Sequence, residues 1–92
     1  MIENFKHRGL KRFYEKGDSS AIGANMQKRI TEILSILEAA STIDEANIPG
    51  YRLHSLSGAK KGFWSVRVTG NWRIIFRFEE NKALDIDLID YH

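Results

Sequence analysis

Between Tyr51 and Leu88 apolar and polar side chains take turns with a period of two, which only a half-buried β-strand satisfies. Trp64, Val66 and Val68 alternate with Ser65 and Arg67, and Trp72, Ile74, Phe76 and Phe78 alternate with Arg73, Ile75 and Arg77. Ahead of them Tyr51 and Leu53 oppose Arg52 and His54; after them Leu84, Ile86 and Leu88 oppose Asp85 and Asp87. Thr69-Gly70-Asn71 and Glu79-Glu80-Asn81-Lys82 read as tight hairpin turns, since glycine and asparagine tolerate positive φ. The pattern predicts four antiparallel strands. One sheet face supplies a core, and the other gathers Arg52, His54, Arg67, Arg73 and Arg77. Cations collected on one face favour polyanion binding, whereas a net charge of +2 and a pI near 9.0 alone do not establish it.

The N-terminal half supplies the cover for that sheet. Met1–Phe5 is apolar enough for a first strand, and His7–Lys16 carries Leu10, Phe13 and Tyr14 at helical spacing among basic residues. Gly17-Asp18-Ser19-Ser20 ends this helix and offers cap residues to the next. A longer helix is predicted from Ala21–Ala24 to Ala40, with Ile22, Met26, Ile30, Ile33, Leu34, Ile36 and Leu37 as its core stripe and Lys28, Arg29, Glu32 and Glu38 off it. Ile43–Asn47 fits one helical turn before Pro49-Gly50 launches the first long strand, and Gly58-Ala59-Lys60-Lys61-Gly62 is a basic connector between strands. Strand, helix, helix and an antiparallel run of strands make an α+β domain, with residues 1–92 as one unit. With no cysteine there is no disulfide or thiolate chemistry, and no apolar run reads as a signal peptide or membrane span, so a cytoplasmic chain without membrane attachment is expected.

Several chemistries drop out. His7, His54 and His92 sit on different elements without metal-ligand spacing, and neither a nucleophile elbow, a Walker loop nor a dinucleotide fingerprint is present. What remains is a set suited to metal-free, cofactor-free RNA cleavage: His54, Arg73, Asp90, Tyr91 and His92. Cleavage through the substrate's own 2′-hydroxyl needs a base, an acid for the leaving 5′-oxygen, and a cation for the charge developing on the phosphate. Histidine titrates near neutrality and suits the proton transfers; arginine's planar fork suits phosphate oxygens; tyrosine stacks on a base. A surface histidine, solvated arginines and a frayed C-terminus would give the same residues. Strict alternation also sends Asp90 and His92 to the core side, so His92 joins the others only if the chain bends.

The residues also carry a resemblance. The opening Met1-Ile-Glu-Asn-Phe-Lys-His-Arg-Gly-Leu10, Tyr51-Arg-Leu-His54, the Trp64-Ser65 strand, Asn71-Trp-Arg73-Ile74 and the closing Asp90-Tyr-His92 together resemble the HigB-type toxins of bacterial toxin–antitoxin pairs, a branch of the RelE/ParE superfamily, over essentially the whole length. The resemblance implies a RelE-like α+β fold with two N-terminal helices packed on a mainly antiparallel twisted sheet. It implies a metal-independent endoribonuclease that cuts mRNA in the ribosomal A site, inhibits translation, is neutralised by a HigA-type helix-turn-helix antitoxin, and meets operator DNA only through the antitoxin complex. Carried over, His54 matches the family's strand histidine, Arg73 its phosphate-binding arginine, and Asp90, Tyr91 and His92 its active C-terminus. Arg52, Lys60, Lys61, Arg67 and Arg77 are the expected RNA and ribosome contacts.

One departure stands out. The family often reads Leu-His-Pro-Leu-Lys-Gly where this chain has Leu53-His-Ser-Leu-Ser57-Gly58, so an active-site lysine is missing at Ser57. Either Lys60 or Lys61 supplies that charge or cleavage is weaker. The rivals are a ParE-like toxin that poisons DNA gyrase by binding alone, and a bare RNA- or ribosome-binding module; a pure binder needs no acid–base pair.

Overall fold

In the computed structural model, which describes residues 1–91, two helices precede a four-stranded antiparallel sheet of order β1-β2-β3-β4. The elements are α1 (Arg8–Lys16), α2 (Gln27–Ala39), β1 (His54–Ser55), β2 (Trp64–Thr69), β3 (Trp72–Glu79) and β4 (Lys82–Asp90), with single 3-10 turns at Ala24–Met26, Ile43–Ala46 and Gly58–Lys60. The α+β class and the two helices are as the alternation and helical spacing predict.

His7 lies just outside α1 rather than in its first turn. Its Nδ1 accepts the Leu10 N–H at 3.0 Å, so it works as the helix cap, and Gly17 closes the other end with a left-handed φ of 70°. Gly9 is needed for packing: a Cβ there would lie 2.5 Å from the Ala21 Cβ and 2.9 Å from the His7 Cε1. Gly9→Ala is therefore expected to destabilise the fold by about 1–3 kcal/mol, read as a lower denaturation midpoint; an unchanged midpoint would show that the α1–Ala21 approach is not tight.

The stripe of α2 is core, with Ile30, Ile33, Leu34 and Leu37 buried and Ile36 partly so, and α2 packs over the sheet at β4. Val66, Ile74, Phe76, Ile86 and Leu88 meet it from the sheet. Around them Thr42 and Glu45 form a reciprocal capping box at the 43–46 turn.

Three expectations need correction. Met1–Phe5 is not a full strand but two parallel bridges to β4, Ile2 with Ala83 and Phe5 with Ile86. The first long strand shrinks to His54–Ser55, because Arg52 takes a left-handed φ of 54° that breaks the ladder. In β4 the alternation slips at Asp85 (φ 53°), where the register shifts between Ile75 and Arg77. Leu84 is thereby opposite Arg77, and Ala83 takes the buried place beside Phe78.

The two hairpins close as expected in length but differ in turn. Glu80 and Asn81 both have positive φ, which matches the twist of their strands, whereas at Gly70-Asn71 only the glycine does. Among the described residues no helix is long and apolar enough to cross a membrane.

Candidate active site

The pairing register builds the second sheet face row by row. His54 lies opposite Ser65, Ser65 opposite Ile75, and Ile75 opposite Asp87. The next row is Arg67, Arg73 and Ile89. Directly opposed residues share a face, so His54, Arg67 and Arg73 look the same way. His54 and Arg73 are separated by β2, about 10 Å across two strand spacings and about 7 Å along the strands.

This face is not uniformly solvated, as the alternation would have it. Ile75 and Ser65 are both fully buried, and Ser65 Oγ has no hydrogen-bond partner among the described residues. Between the partly buried Arg67, Arg73 and Arg77 this face therefore carries buried Ser65 and Ile75 rather than an unbroken polar surface.

Arg73 is held. Its Nη1 donates to the Gly70 carbonyl at 2.8 Å and to the Trp72 carbonyl at 3.1 Å, which ties it to the β2–β3 hairpin. Nε and Nη2 carry three more donors on the same planar fork. The guanidinium carbon sits 5.7 Å from the centroid of the Tyr91 ring, within cation–π range.

Tyr91 reaches it because sheet pairing persists to the end of β4. Trp72 pairs with Asp90, and the Tyr91 N–H donates to the Asn71 carbonyl at 2.7 Å. The terminus is thus tied down through Tyr91, which is 46% exposed and so open to a stacking partner. Asp90 is exposed beside it and opposite Trp72. The expectation for His92 lies outside the described residues.

His54 is exposed on the edge strand, with its Nδ1 2.9 Å from the Arg52 carbonyl oxygen. A carbonyl oxygen only accepts, so Nδ1 is the donor in this contact, and in the neutral tautomer that makes it the lone pair lies on Nε2, directed away from that bond. The arrangement suits a general base.

The remaining cations differ in availability. Arg52, Lys60 and Lys61 are exposed on the segment around β1, and Arg67 is half-buried opposite Arg73. Arg77 is already engaged by the carboxylates of Glu79 and Asp85, the latter at 3.4 Å. Among the described residues no three of His, Cys, Asp and Glu are grouped as a metal site requires.

Sequence reasoning passed over a cluster behind the face. The Arg29 guanidinium lies 4.7 Å from the Tyr51 ring centroid, and the Tyr51 hydroxyl donates to Glu32 Oε1 at 3.4 Å. The i, i+3 spacing of Arg29 and Glu32 on α2 was the available signal.

Comparison with known proteins identifies the family and the fold. The family model for the HigB-like, RelE-like toxin of type II toxin–antitoxin systems matches residues 3–92. The chain is 42% identical over 92 residues to the Endoribonuclease HigB of Proteus vulgaris, covering 100% of both. It is 33% identical over 87 residues to Toxin HigB-1 of Vibrio cholerae serotype O1, covering 92% of each. Its fold is similar to the toxin in the heterotetrameric YoeB–YefM toxin–antitoxin complex of Staphylococcus aureus, with a TM-score of 0.61 at 20% identity over 100% of this chain and 98% of that one. The chain belongs to the HigB-like family of RelE-like toxins of type II toxin–antitoxin systems.

Proposed function

We propose that this toxin is a ribosome-dependent endoribonuclease that cuts mRNA in the ribosomal A site by metal-independent transesterification and so inhibits translation. The observation that carries the reading is the Arg73 fork, held by the Gly70 and Trp72 carbonyls, stacked near Tyr91 and sharing a face with His54. The substrate's 2′-hydroxyl attacks the adjacent phosphorus; its proton goes to a histidine, the bond to the 5′-oxygen breaks, and a second proton donor protonates that oxygen. A 2′,3′-cyclic phosphate and a 5′-hydroxyl end result. His54 and His92 share the acid and base roles, Arg73 neutralises the charge gathering on the phosphate, Tyr91 stacks on a base, and Asp90 orients a partner.

Arg52, Lys60, Lys61 and Arg67 extend the cationic surface toward RNA, with Lys60 or Lys61 standing in for the lysine absent at Ser57. Arg77, paired with Glu79 and Asp85, joins only by exchanging these carboxylates for phosphate. A HigA-type helix-turn-helix antitoxin neutralises the protein, and operator DNA is met through that complex. The kinship with HigB toxins supports an antitoxin partner, as does a fold neighbour solved as a toxin–antitoxin complex.

The shape of the face supports dependence on the ribosome. His54 and Tyr91 stand exposed on an open sheet, so another surface must press and bend the message against them. In a reconstituted translation system the protein should cut ribosome-bound mRNA far faster than the same RNA free in solution. Equal rates on both would overturn the ribosome requirement, and inhibition of gyrase supercoiling without RNA cleavage would replace it with the ParE-like reading.

A further inference from the structure

The segment that delivers His54 is weakly held by the sheet itself. β1 contributes only His54 and Ser55, and Arg52 just ahead of it has a left-handed backbone. Tyr51 is the anchor. It is buried, and its carbonyl accepts the Arg67 N–H at 2.7 Å.

The other half of the anchor comes from α2. Arg29 Nη1 donates to the Arg67 carbonyl at 3.2 Å while its guanidinium covers the Tyr51 ring at 4.7 Å. Glu32 Oε1 accepts from the Tyr51 hydroxyl at 3.4 Å and lies 4.0 Å from Arg29 Nε. Burial, and then the charge of Glu32, raise the pKa of the Tyr51 phenol, so it remains a donor at neutral pH.

Arg67 is where these ties converge. A bulge shifts the β2–β3 register between Arg67 and Thr69 and disrupts the ladder locally. Tyr51 and Arg29 between them engage both backbone polar groups of Arg67, the residue directly opposite Arg73. The same cluster thus fixes the segment leading to His54 and the strand position facing Arg73.

We propose that Arg29, Glu32 and Tyr51 form a positioning brace through which α2 sets His54 at its working distance from Arg73. The inference rests on the reading that these two residues act on the scissile phosphate. None of the three brace residues touches substrate; they act through the backbone of residues 51–54 and of Arg67. A displacement of about 1 Å in a catalytic group costs up to about 10² in rate, so the brace should register in turnover rather than in binding.

The test compares wild type with Arg29→Ala, Arg29→Lys and Tyr51→Phe. Single-turnover cleavage is measured on saturating mRNA-programmed ribosomes, ribosome affinity separately, and the His54 side-chain resonance by NMR, all below each variant's melting temperature. Arg29→Ala should cut about ten- to a hundred-fold more slowly with affinity unchanged, and should move the His54 resonance. Lysine should rescue only part of the rate, since it restores charge without the planar fork. Tyr51→Phe should lose less, because it keeps the ring under Arg29. A folded Arg29→Ala protein with the wild-type rate, or one whose loss lies in affinity, overturns the brace. If wild type itself fails to cleave, the proposed function falls, and an unmoved His54 resonance in Arg29→Ala would then overturn the brace on its own.

Discussion

Replacing Arg73 by alanine is expected to slow cleavage of ribosome-bound mRNA about 10²–10³-fold, the usual loss when one preorganised donor to a developing charge is removed. The size follows from how Arg73 is held. Its Nη1 bonds to the Gly70 and Trp72 carbonyls orient the fork before substrate arrives, and the Tyr91 ring lies 5.7 Å from its guanidinium carbon. A charge fixed in this way needs no reorganisation during the reaction. The fold should survive, because the core neighbours Ile74 and Phe76 point to the other face and the freed carbonyl of exposed Gly70 is open to water. Arg73→Lys should fall between, keeping the charge but losing the paired geometry. Single-turnover cleavage together with a denaturation curve checks both halves. A well-folded Arg73→Ala protein that cuts at the full rate would remove Arg73 from the mechanism.

The strands that carry this arginine are plain in the sequence, since Trp64, Val66 and Val68 of β2 and Trp72, Ile74, Phe76 and Phe78 of β3 alternate on the core side. The flanking strands are less so, for local reasons. Arg52 leaves the β region and cuts β1 to two residues, and Asp85 does the same inside β4 and turns Leu84 toward Arg77's face. A left-handed arginine or aspartate is a tertiary outcome that period-two counting does not reveal. His7 continues the helical spacing of α1 in the sequence yet is its cap, a distinction that rests on one hydrogen bond. The arginine face was legible as a set of residues but not as a surface. Burial of Ser65 and Ile75, the pairing of Arg77 with Glu79 and Asp85, and the Arg73–Tyr91 stack all depend on register and rotamer. In the sequence Arg29 and Glu32 show only as residues lying off the apolar stripe of α2. Their meeting with Tyr51, 22 and 19 positions further on, is a long-range contact to which helical periodicity is blind.

The C-terminus offers the test in which a passive tail and a working one part most widely. Deleting Tyr91 and His92 should leave ribosome binding nearly intact while reducing cleavage by at least about 10²–10⁴-fold, the contribution typical of one acid–base group. A frayed end would predict no change. The Tyr91 N–H bond to the Asn71 carbonyl argues against fraying at that position, and it brings the ring beside the fork that would grip the phosphate. The two residues should separate by their kinetics. Tyr91→Ala removes a stacking surface worth about 1–3 kcal/mol per base, so its loss should appear in how productively the message is seated. His92→Ala removes the proposed proton carrier, so it should depress the single-turnover rate at saturating ribosome and flatten one limb of the pH–rate profile. Stability should hardly move in either case, because Tyr91 is exposed and the core at Leu88 and Ile86 lies upstream. If the truncated protein cuts ribosome-bound mRNA as fast as the full chain, the active site does not lie at this terminus, and His54 and Arg73 must find their partners elsewhere on the sheet.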